Sequence, residues 1–167
     1  MTATRTLAAG VWRADLTRST ASFQVGNLGR KAHGTVPVTA GTVEIGDDGQ
    51  LRGVHGTLDL AAIDTGIAKR DLDLRKPSLL DLDRHPTMTF TATSCEPADN
   101  GWNVIGPLQA RGGSTELSGV VELSTVNGET VMTATARLDR RTLGIRAPRF
   151  MIGAFVDITV TAVISRP

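Results

Sequence analysis

The chain has a single cysteine, Cys95, no tyrosine and only 4% aromatic residues among its 167 positions. One cysteine excludes a framework of intramolecular disulfides. No cysteine–histidine signature surrounds it, so we interpret Cys95 as an ordinary thiol near a strand end. The formal net charge of +1, with no basic run, argues against nucleic acid as a partner. A composition of 40% hydrophobic and 21% charged residues is typical of one globular domain.

Long apolar runs are also missing, and none approaches the roughly 20 residues that a transmembrane helix needs. At the N-terminus, the apolar stretch from Leu7 to Trp12 is too short for the core of a signal peptide. We therefore expect a cytoplasmic protein, or a periplasmic or secreted one if a leader has been removed. Residues 1–10 are expected to form a tail before a single domain at residues 11–165.

Residue patterns for catalysis or metal binding are absent as well. His33, His55 and His85 are widely spaced and lack the spacing of metal ligands. There is no Gly-x-Ser-x-Gly motif, no phosphate-binding loop with its lysine, and no carboxylate pair in a recognisable acid–base context. We therefore expect no catalytic residue, no metal site and no cofactor.

What the sequence does contain is alternation of apolar and polar residues, repeated along almost the whole chain. Met88, Phe90 and Ala92, for example, alternate with threonines. This pattern predicts about eight half-buried antiparallel strands. Turn residues between them predict hairpin loops at residues 46–49, 98–101 and 126–128.

Eight such strands form either a two-sheet sandwich or a closed barrel. Many positions on the predicted inner face are small, which leaves little material to fill a barrel and favours an apolar cavity: these are Ala21, Gly56, Ala92, Gly106, Ala110, Gly119, Ala134, Ala136 and Ala162. The alternative is that the glycines mark bulges and sharp bends.

The segment from Ile63 to Phe90 breaks the strand pattern. Ala68 to Leu74 is predicted to form about two helical turns, and Pro77 and Pro86 limit its continuation. Long connections of this kind are often lids or binding loops, and the alternative is a plug for one end of the barrel.

This segment also carries the most specific motifs of the chain. Asp64-Thr65-Gly66, Arg70-Asp71, Leu74-Arg75 and His85-Pro86 occur in an order that resembles the signature of the YceI family. Asp73 and Leu79-Leu80 stand where that family often has a histidine and an aromatic residue. The resemblance extends from about residue 11 to residue 165, and it implies an extended, antiparallel, eight-stranded lipocalin-like β-barrel with a short helix or loop insertion around residues 66–86.

The resemblance further implies that the barrel binds a polyisoprenoid lipid. The residues expected to line such a site are the larger apolar residues of the inner face: Phe23, Val25, Val54, Leu58, Phe90, Val104, Leu108, Val121, Met132, Ile158 and Val160. The alternative for each one is an ordinary place in a dry core.

Arginines outside the strands are candidates for contact with a lipid head group at the barrel mouth. Arg70, Arg75 and Arg141 are the three in question. The alternative is that they pair with nearby carboxylates.

We therefore expect a non-enzymatic carrier that holds a polyprenyl chain, an isoprenoid quinone or another long-chain lipid. The second hypothesis is a protein-interaction or stress-response module with a mostly filled barrel. A homodimer is an open alternative to a monomer.

Overall fold

The computed structural model of the protein describes residues 7–27, 30–77, 79–145 and 152–166. Its strands are β1 (Gly10–Ala14), β2 (Thr20–Asn27), β3 (Arg30–Ile45), β4 (Leu51–Asp59), β5 (Thr87–Thr91), β6 (Ser94–Ala98), β7 (Gly101–Ala110), β8 (Gly113–Val126), β9 (Glu129–Asp139) and β10 (Ile152–Ser165). One α-helix, α1 (Ala68–Leu74), and two short 3₁₀ turns, Leu60–Ala62 and Arg140–Leu143, lie between strands.

Eight of the strands form a closed ring in the order β10–β2–β3–β4–β5–β7–β8–β9, and β9 pairs back to β10. All neighbours in the ring are antiparallel. The closing pair keeps one register from Phe155 opposite Asp139 to Ile164 opposite Thr130. The predicted eight-stranded barrel is therefore confirmed, and the sandwich alternative is wrong.

The barrel has two different ends. At the end that we call lower, tight turns join β3 to β4, β6 to β7 and β8 to β9. At the opposite, upper end lie residues 60–77 and 79–86 with α1, the β7–β8 turn and the turn Arg140–Leu143. The upper end therefore carries the long connections together with the short β7–β8 turn, whereas short turns join the strands at the lower end.

The two remaining strands, β1 and β6, complete positions of the ring that are broken in the chain. β1 pairs with the lower parts of β3 and β10, whereas β2 pairs with their upper parts. In the same way, β6 pairs with the lower part of β7 and β5 with its upper part. Two breaks thus turn eight ring positions into ten strands.

The hairpin loops predicted from turn residues are confirmed. At the β8–β9 turn, Asn127 and Gly128 have φ values of 52° and 80°. The β7–β8 turn has the same character, with 55° at Arg111 and 74° at Gly112. Two-residue turns of type I′ need positive φ at both central positions, and asparagine and glycine adopt it readily.

The short helix predicted within residues 66–86 is present as α1, seven residues long. The connection around it is tied to β3 near its start, and its two ends are tied to each other. Asp64 and Thr35 exchange two backbone hydrogen bonds of 2.9 Å, and the N–H of Ala61 donates to the carbonyl of Pro86 at 3.1 Å. These bonds hold the connection across the upper end of the barrel.

The buried apolar side chains form two clusters, one above the other. The upper cluster comprises Ala21, Val36, Val38, Leu58, Leu60, Leu82, Met88, Leu108, Ala110, Leu117, Leu138, Leu143 and Ile158. The lower cluster comprises Val43, Ile45, Leu51, Val54, Trp102, Val104, Val121, Leu123, Met132, Ala162 and Ile164. Phe90 is packed against both clusters, so the two are parts of one interior.

One glycine of the inner face is required by backbone contact. A β-carbon at Gly106 would overlap the carbonyl oxygen of Thr91 and lie 2.8 Å from the Cα of Ala92. β5 ends at this point, and β7 crosses close to it. The alternative reading of the glycines, as marks of sharp bends, therefore holds for Gly106.

We predict that Gly106→Ala destabilises the protein by about 3 kcal/mol, because the β-carbon has no room without a shift of two backbones. The matched control is Gly53→Ala on β4, where the added atom would lie 3.6 Å from the nearest atom, in the side chain of Glu44. The control should be neutral or slightly stabilising. Urea unfolding of both variants measures the difference, and equal stabilities would contradict the packing at Gly106.

Candidate functional site: an apolar cavity inside the barrel

A cavity of about 120 Å³ lies in the middle of the barrel, between the upper and lower clusters. Its wall includes Leu58 and Met88 from the upper cluster and Val54 and Met132 from the lower one. Phe90 borders it as well. The cavity is thus the space that the two clusters leave unfilled.

Small residues at mid-height explain why the space is empty. Gly56, Gly119, Ala134, Ala136 and Ala162 all border the cavity. A β-carbon built on Gly56 would find no atom nearer than 3.9 Å. Large side chains therefore fill the barrel above and below this level, while short ones surround the middle.

The structure places nine of the eleven predicted lining residues along this cavity: Val54, Leu58, Phe90, Val104, Leu108, Val121, Met132, Ile158 and Val160. Phe23 and Val25 lie outside the lining. Phe23 is only partly buried and packs against the upper cluster, and Val25 is half-buried further along β2. The alternation pattern identifies residues that point into the barrel, but it does not give their height along the barrel axis. It therefore could not separate residues at the height of the cavity from those above it.

The cavity wall is almost entirely apolar. The described lining contains no carboxylate, lysine, arginine or thiol. His55 borders it from β4, but its imidazole is exposed and its Nδ1 lies 2.8 Å from the Oγ1 of Thr91. Such a wall offers dispersion contacts and the exclusion of water from apolar groups, and few polar interactions.

Cys95, the lone thiol, packs beside the lower cluster. Burial raises the pKa of the Cys95 thiol, and the charge of Arg52 opposes this only in part. The thiol therefore stays protonated at neutral pH, a state that is a poor nucleophile.

The upper end of the cavity is covered by apolar side chains from the connections at that end. Leu60, Leu82 and Leu143 are at most 5% exposed. α1 contributes no buried residue, and Leu72 on it is 67% exposed. The cover is therefore made by the residues that flank the helix and not by the helix itself.

A single arginine of the β7–β8 turn joins these covering connections. Nε of Arg111 donates to the carbonyl of Leu79 at 2.6 Å, and its other nitrogens donate to the carbonyls of Pro77 and Leu143. One guanidinium thus holds Pro77, Leu79 and the Arg140–Leu143 turn over the barrel. Sequence reasoning did not single out Arg111, because its partners are backbone carbonyls 32 or more positions away.

The three arginines proposed as head-group contacts all have partners within the protein. Nε and Nη2 of Arg70 donate to the hydroxyl and the carbonyl of Thr65, each at 2.9 Å. Nη2 of Arg75 lies 2.8 Å from the carboxylate of Asp83.

Arg141, the third of these arginines, lies 2.7 Å from the carboxylate of Asp139 and lowers the pKa of that group to about 2. None of the three borders the cavity. The structure therefore gives each of them a structural partner, and a head-group role stays a prediction.

The described residues contain no group of three His, Cys, Asp or Glu side chains arranged to hold a metal ion. Among the helices in the described ranges, none has the length and apolar character needed to cross a membrane.

A closed antiparallel barrel with an apolar cavity at its centre is the architecture of the lipocalin-like proteins. The family model for the YceI-like domain matches residues 12–164, and the chain therefore belongs to the YceI-like family.

Solved structures with the same fold differ strongly from this chain in sequence. BcnA of Burkholderia cenocepacia superposes with a TM-score of 0.79 at 16% identity, covering 92% of this chain and 99% of that one. A polyisoprenoid-binding domain from Saccharophagus degradans, implicated in plant cell wall breakdown, gives 0.66 at 15% identity, covering 93% and 98%. At these identities the likeness establishes the fold.

A curated relative is a UPF0312 protein of Pectobacterium atrosepticum, 32% identical over 59 residues. The match covers 35% of this chain and 31% of the relative, so it spans less than a third of the relative's length.

We predict that Arg111→Ala loosens the cover of the barrel, because three backbone carbonyls lose a charged donor. The expected loss of stability is about 1–3 kcal/mol, with faster amide exchange at residues 79–85. Hydrogen exchange read by mass spectrometry measures both.

The control is Arg137→Ala, which removes an exposed pair with Asp157 on the barrel wall. Exposed pairs of this kind contribute less than about 1 kcal/mol. Unchanged exchange at residues 79–85 in Arg111→Ala would contradict the role of Arg111.

Proposed function

We propose that this protein binds a long isoprenoid lipid, such as a polyprenyl chain or an isoprenoid quinone, inside the barrel and carries it. The observation on which the proposal rests is the apolar cavity enclosed by the eight-stranded ring. Membership of the YceI-like family supports it, as does the fold shared with a domain described as polyisoprenoid-binding.

Binding of such a ligand needs no reactive side chain. Transfer of hydrocarbon from water into an apolar site contributes roughly 0.8 kcal/mol per CH₂. A chain of several isoprene units would therefore bind through its tail alone, provided that the interior accommodates its volume. This fits a wall without charged side chains among the described lining residues.

The volume of the cavity sets a condition on this proposal. At about 120 Å³ it is somewhat smaller than the cavity of roughly 150 Å³ that holds benzene in a well-studied protein core, and smaller than the 300–1,000 Å³ of typical ligand sites. A long chain must therefore displace side chains. Met88 and Met132 border the cavity, and unbranched methionine side chains repack readily.

We propose that loading occurs through the upper end. The side chains that close it belong to long connections, and Leu82 would have to withdraw to open it. The lower end is closed by tight hairpins around Trp102, which is fully buried and whose indole N–H donates to the side chain of Gln50 at 3.0 Å. On this proposal, residues 60–77 and 79–86 would act as a lid. The alternative is that they form a permanent plug.

A second candidate function is favoured by the same small volume. A barrel that stays mostly filled by its own side chains would serve as a rigid scaffold, and its exposed connections would bind a protein partner. The two proposals differ in whether the interior accepts a ligand.

We propose binding and not catalysis as the activity. Proton transfer or nucleophilic attack on a ligand in the cavity would need an acid, base or nucleophile within reach of it. The described wall supplies apolar side chains, and the His55 imidazole at its edge is turned to the outer face, against Thr91.

We expect that protein purified from its native host and extracted with organic solvent releases a polyprenyl or quinone species. Mass spectrometry of the extract identifies it, and an extract of the protein after delipidation and refolding is the control. Absence of any lipid in the extract, together with no uptake of a fluorescent polyisoprenoid by the delipidated protein, would favour the filled scaffold.

We predict that Gly56→Leu reduces lipid affinity by about tenfold or more, because its side chain occupies the centre of the cavity. Gly53→Leu is the matched control on the same strand, since position 53 lies on the outer face next to Glu44. Fluorescence titration with the labelled polyisoprenoid compares them after thermal unfolding shows that both variants fold. Equal affinities would place the lipid outside this cavity.

A further inference from the structure

A second cavity lies on the outside of the barrel and has a different character. It is a surface groove of about 480 Å³ where the end of the upper connection meets β5 and the β7–β8 turn. Arg84, His85, Arg111 and Ser114 border it. It is about four times larger than the interior cavity, and most of its described lining residues are polar.

Arg84 is the group that distinguishes this groove. Its side chain is exposed, and within the described residues its guanidinium has neither a hydrogen-bond partner nor an ion-pair partner. Arg70, Arg75 and Arg141, by contrast, are all engaged by groups of the protein. Arg84 therefore presents five unused donors to whatever enters the groove.

The ionisable side chains in the described lining of the groove are all basic. Arg111 also borders the groove, and three N–H donors of its guanidinium are engaged by backbone carbonyls, which leave its charge unneutralised. No carboxylate is among the described lining residues. Asp81 is not part of this lining; its side chain is only 13% exposed, and its carboxylate lies 4.0 Å from Nε2 of His85.

Small residues and hydroxyls shape the rest of the groove. A β-carbon at Gly112 would lie 2.8 Å from the His85 ring, so the glycine allows the imidazole to pack on the turn. Gly113 leaves open space, with no atom nearer than 3.9 Å to an added β-carbon. Thr87 and Ser114, which carry hydroxyls and are both exposed, border the same space.

We propose that this groove binds a phosphate-type anion, with the Arg84 guanidinium as its principal contact. A guanidinium fork matches two oxygens of a phosphate, and hydroxyls add donors beside it. The fixed charge of Arg111 strengthens the field without competing for the same bonds. The groove lies on the outer face, so the proposal does not depend on lipid binding inside the barrel. The same chemistry fits a free phosphorylated molecule and the phosphate of a lipid head group.

Titration with sodium pyrophosphate at constant ionic strength tests the site, with NMR shifts of the His85 ring and the Gly112 amide as the signals. We expect a saturable shift in the wild type, and a loss of affinity of about tenfold or more in Arg84→Gln. Arg13→Gln on β1, near the lower end, makes the same change of charge and should bind as the wild type does.

Either of two results of this titration would overturn the proposal. One is a shift that rises without saturation. The other is equal weakening in Arg84→Gln and Arg13→Gln, which would show only a general effect of charge. Ser114→Ala is a second test variant, and we expect it to weaken pyrophosphate binding a few-fold. Because Ser114 is exposed, this substitution should leave folding intact.

A polyprenyl phosphate distinguishes the two sources of the anion. Weakening of its binding by both Arg84→Gln and Gly56→Leu identifies the head group of a lipid that also occupies the barrel. Weakening by Arg84→Gln with no effect of Gly56→Leu identifies a site for free anions. If Arg84→Gln changes the binding of neither ligand, the anion site is refuted, whatever Gly56→Leu shows about the interior.

Discussion

The pairing of β9 with β10 is the interaction on which the rest of the structure depends. It joins the last strand to its neighbour along one register, from Phe155 opposite Asp139 to Ile164 opposite Thr130, and it turns an open sheet into a ring. Closure leaves no long unpaired edge in the ring and gives the sheet an inside. Every inward side chain then shares one limited volume, in which a mid-height band of glycines and alanines leaves the cavity.

Closure also separates two kinds of surface by polarity. Inside, the described wall of the cavity is apolar and leaves about 120 Å³ unfilled. On the outer surface and at the upper end, the guanidinium groups make different interactions. Arg111 binds backbone carbonyls of the cover, whereas Arg75 and Arg141 pair with carboxylates. The guanidinium of Arg84 has no partner in the described part of the chain. Because a guanidinium stays charged at any ordinary pH, its task depends only on which acceptors the fold brings to it.

The cover over the upper end links these two surfaces. Leu60, Leu82 and Leu143 seal the apolar interior, and the backbone beside them is held by a side chain of the opposite hairpin. Opening the cover breaks the hydrogen bonds of a single guanidinium, whereas displacing a strand of the ring breaks a whole ladder of backbone hydrogen bonds. The free energy of opening is therefore smaller for the cover than for the ring. The ring and the cover are thus expected to differ in stability, which is the arrangement that a loading route requires.

The fold and most of the cavity wall could be predicted from the sequence because strand alternation is local: inward Val54, Leu58 and Phe90 are visible as every second residue. The helix at Ala68–Leu74 was visible for a similar reason. Tertiary structure alone decided the barrel height at which each inward residue lies, which removed Phe23 and Val25 from the wall. It also decided the partners of the arginines, since the guanidinium of Arg111 meets carbonyls 32 or more positions away and that of Arg84 meets none of its own chain's described groups. Side-chain direction follows from neighbours along the chain, whereas closure and long-range hydrogen bonds follow from segments that meet only when the barrel forms.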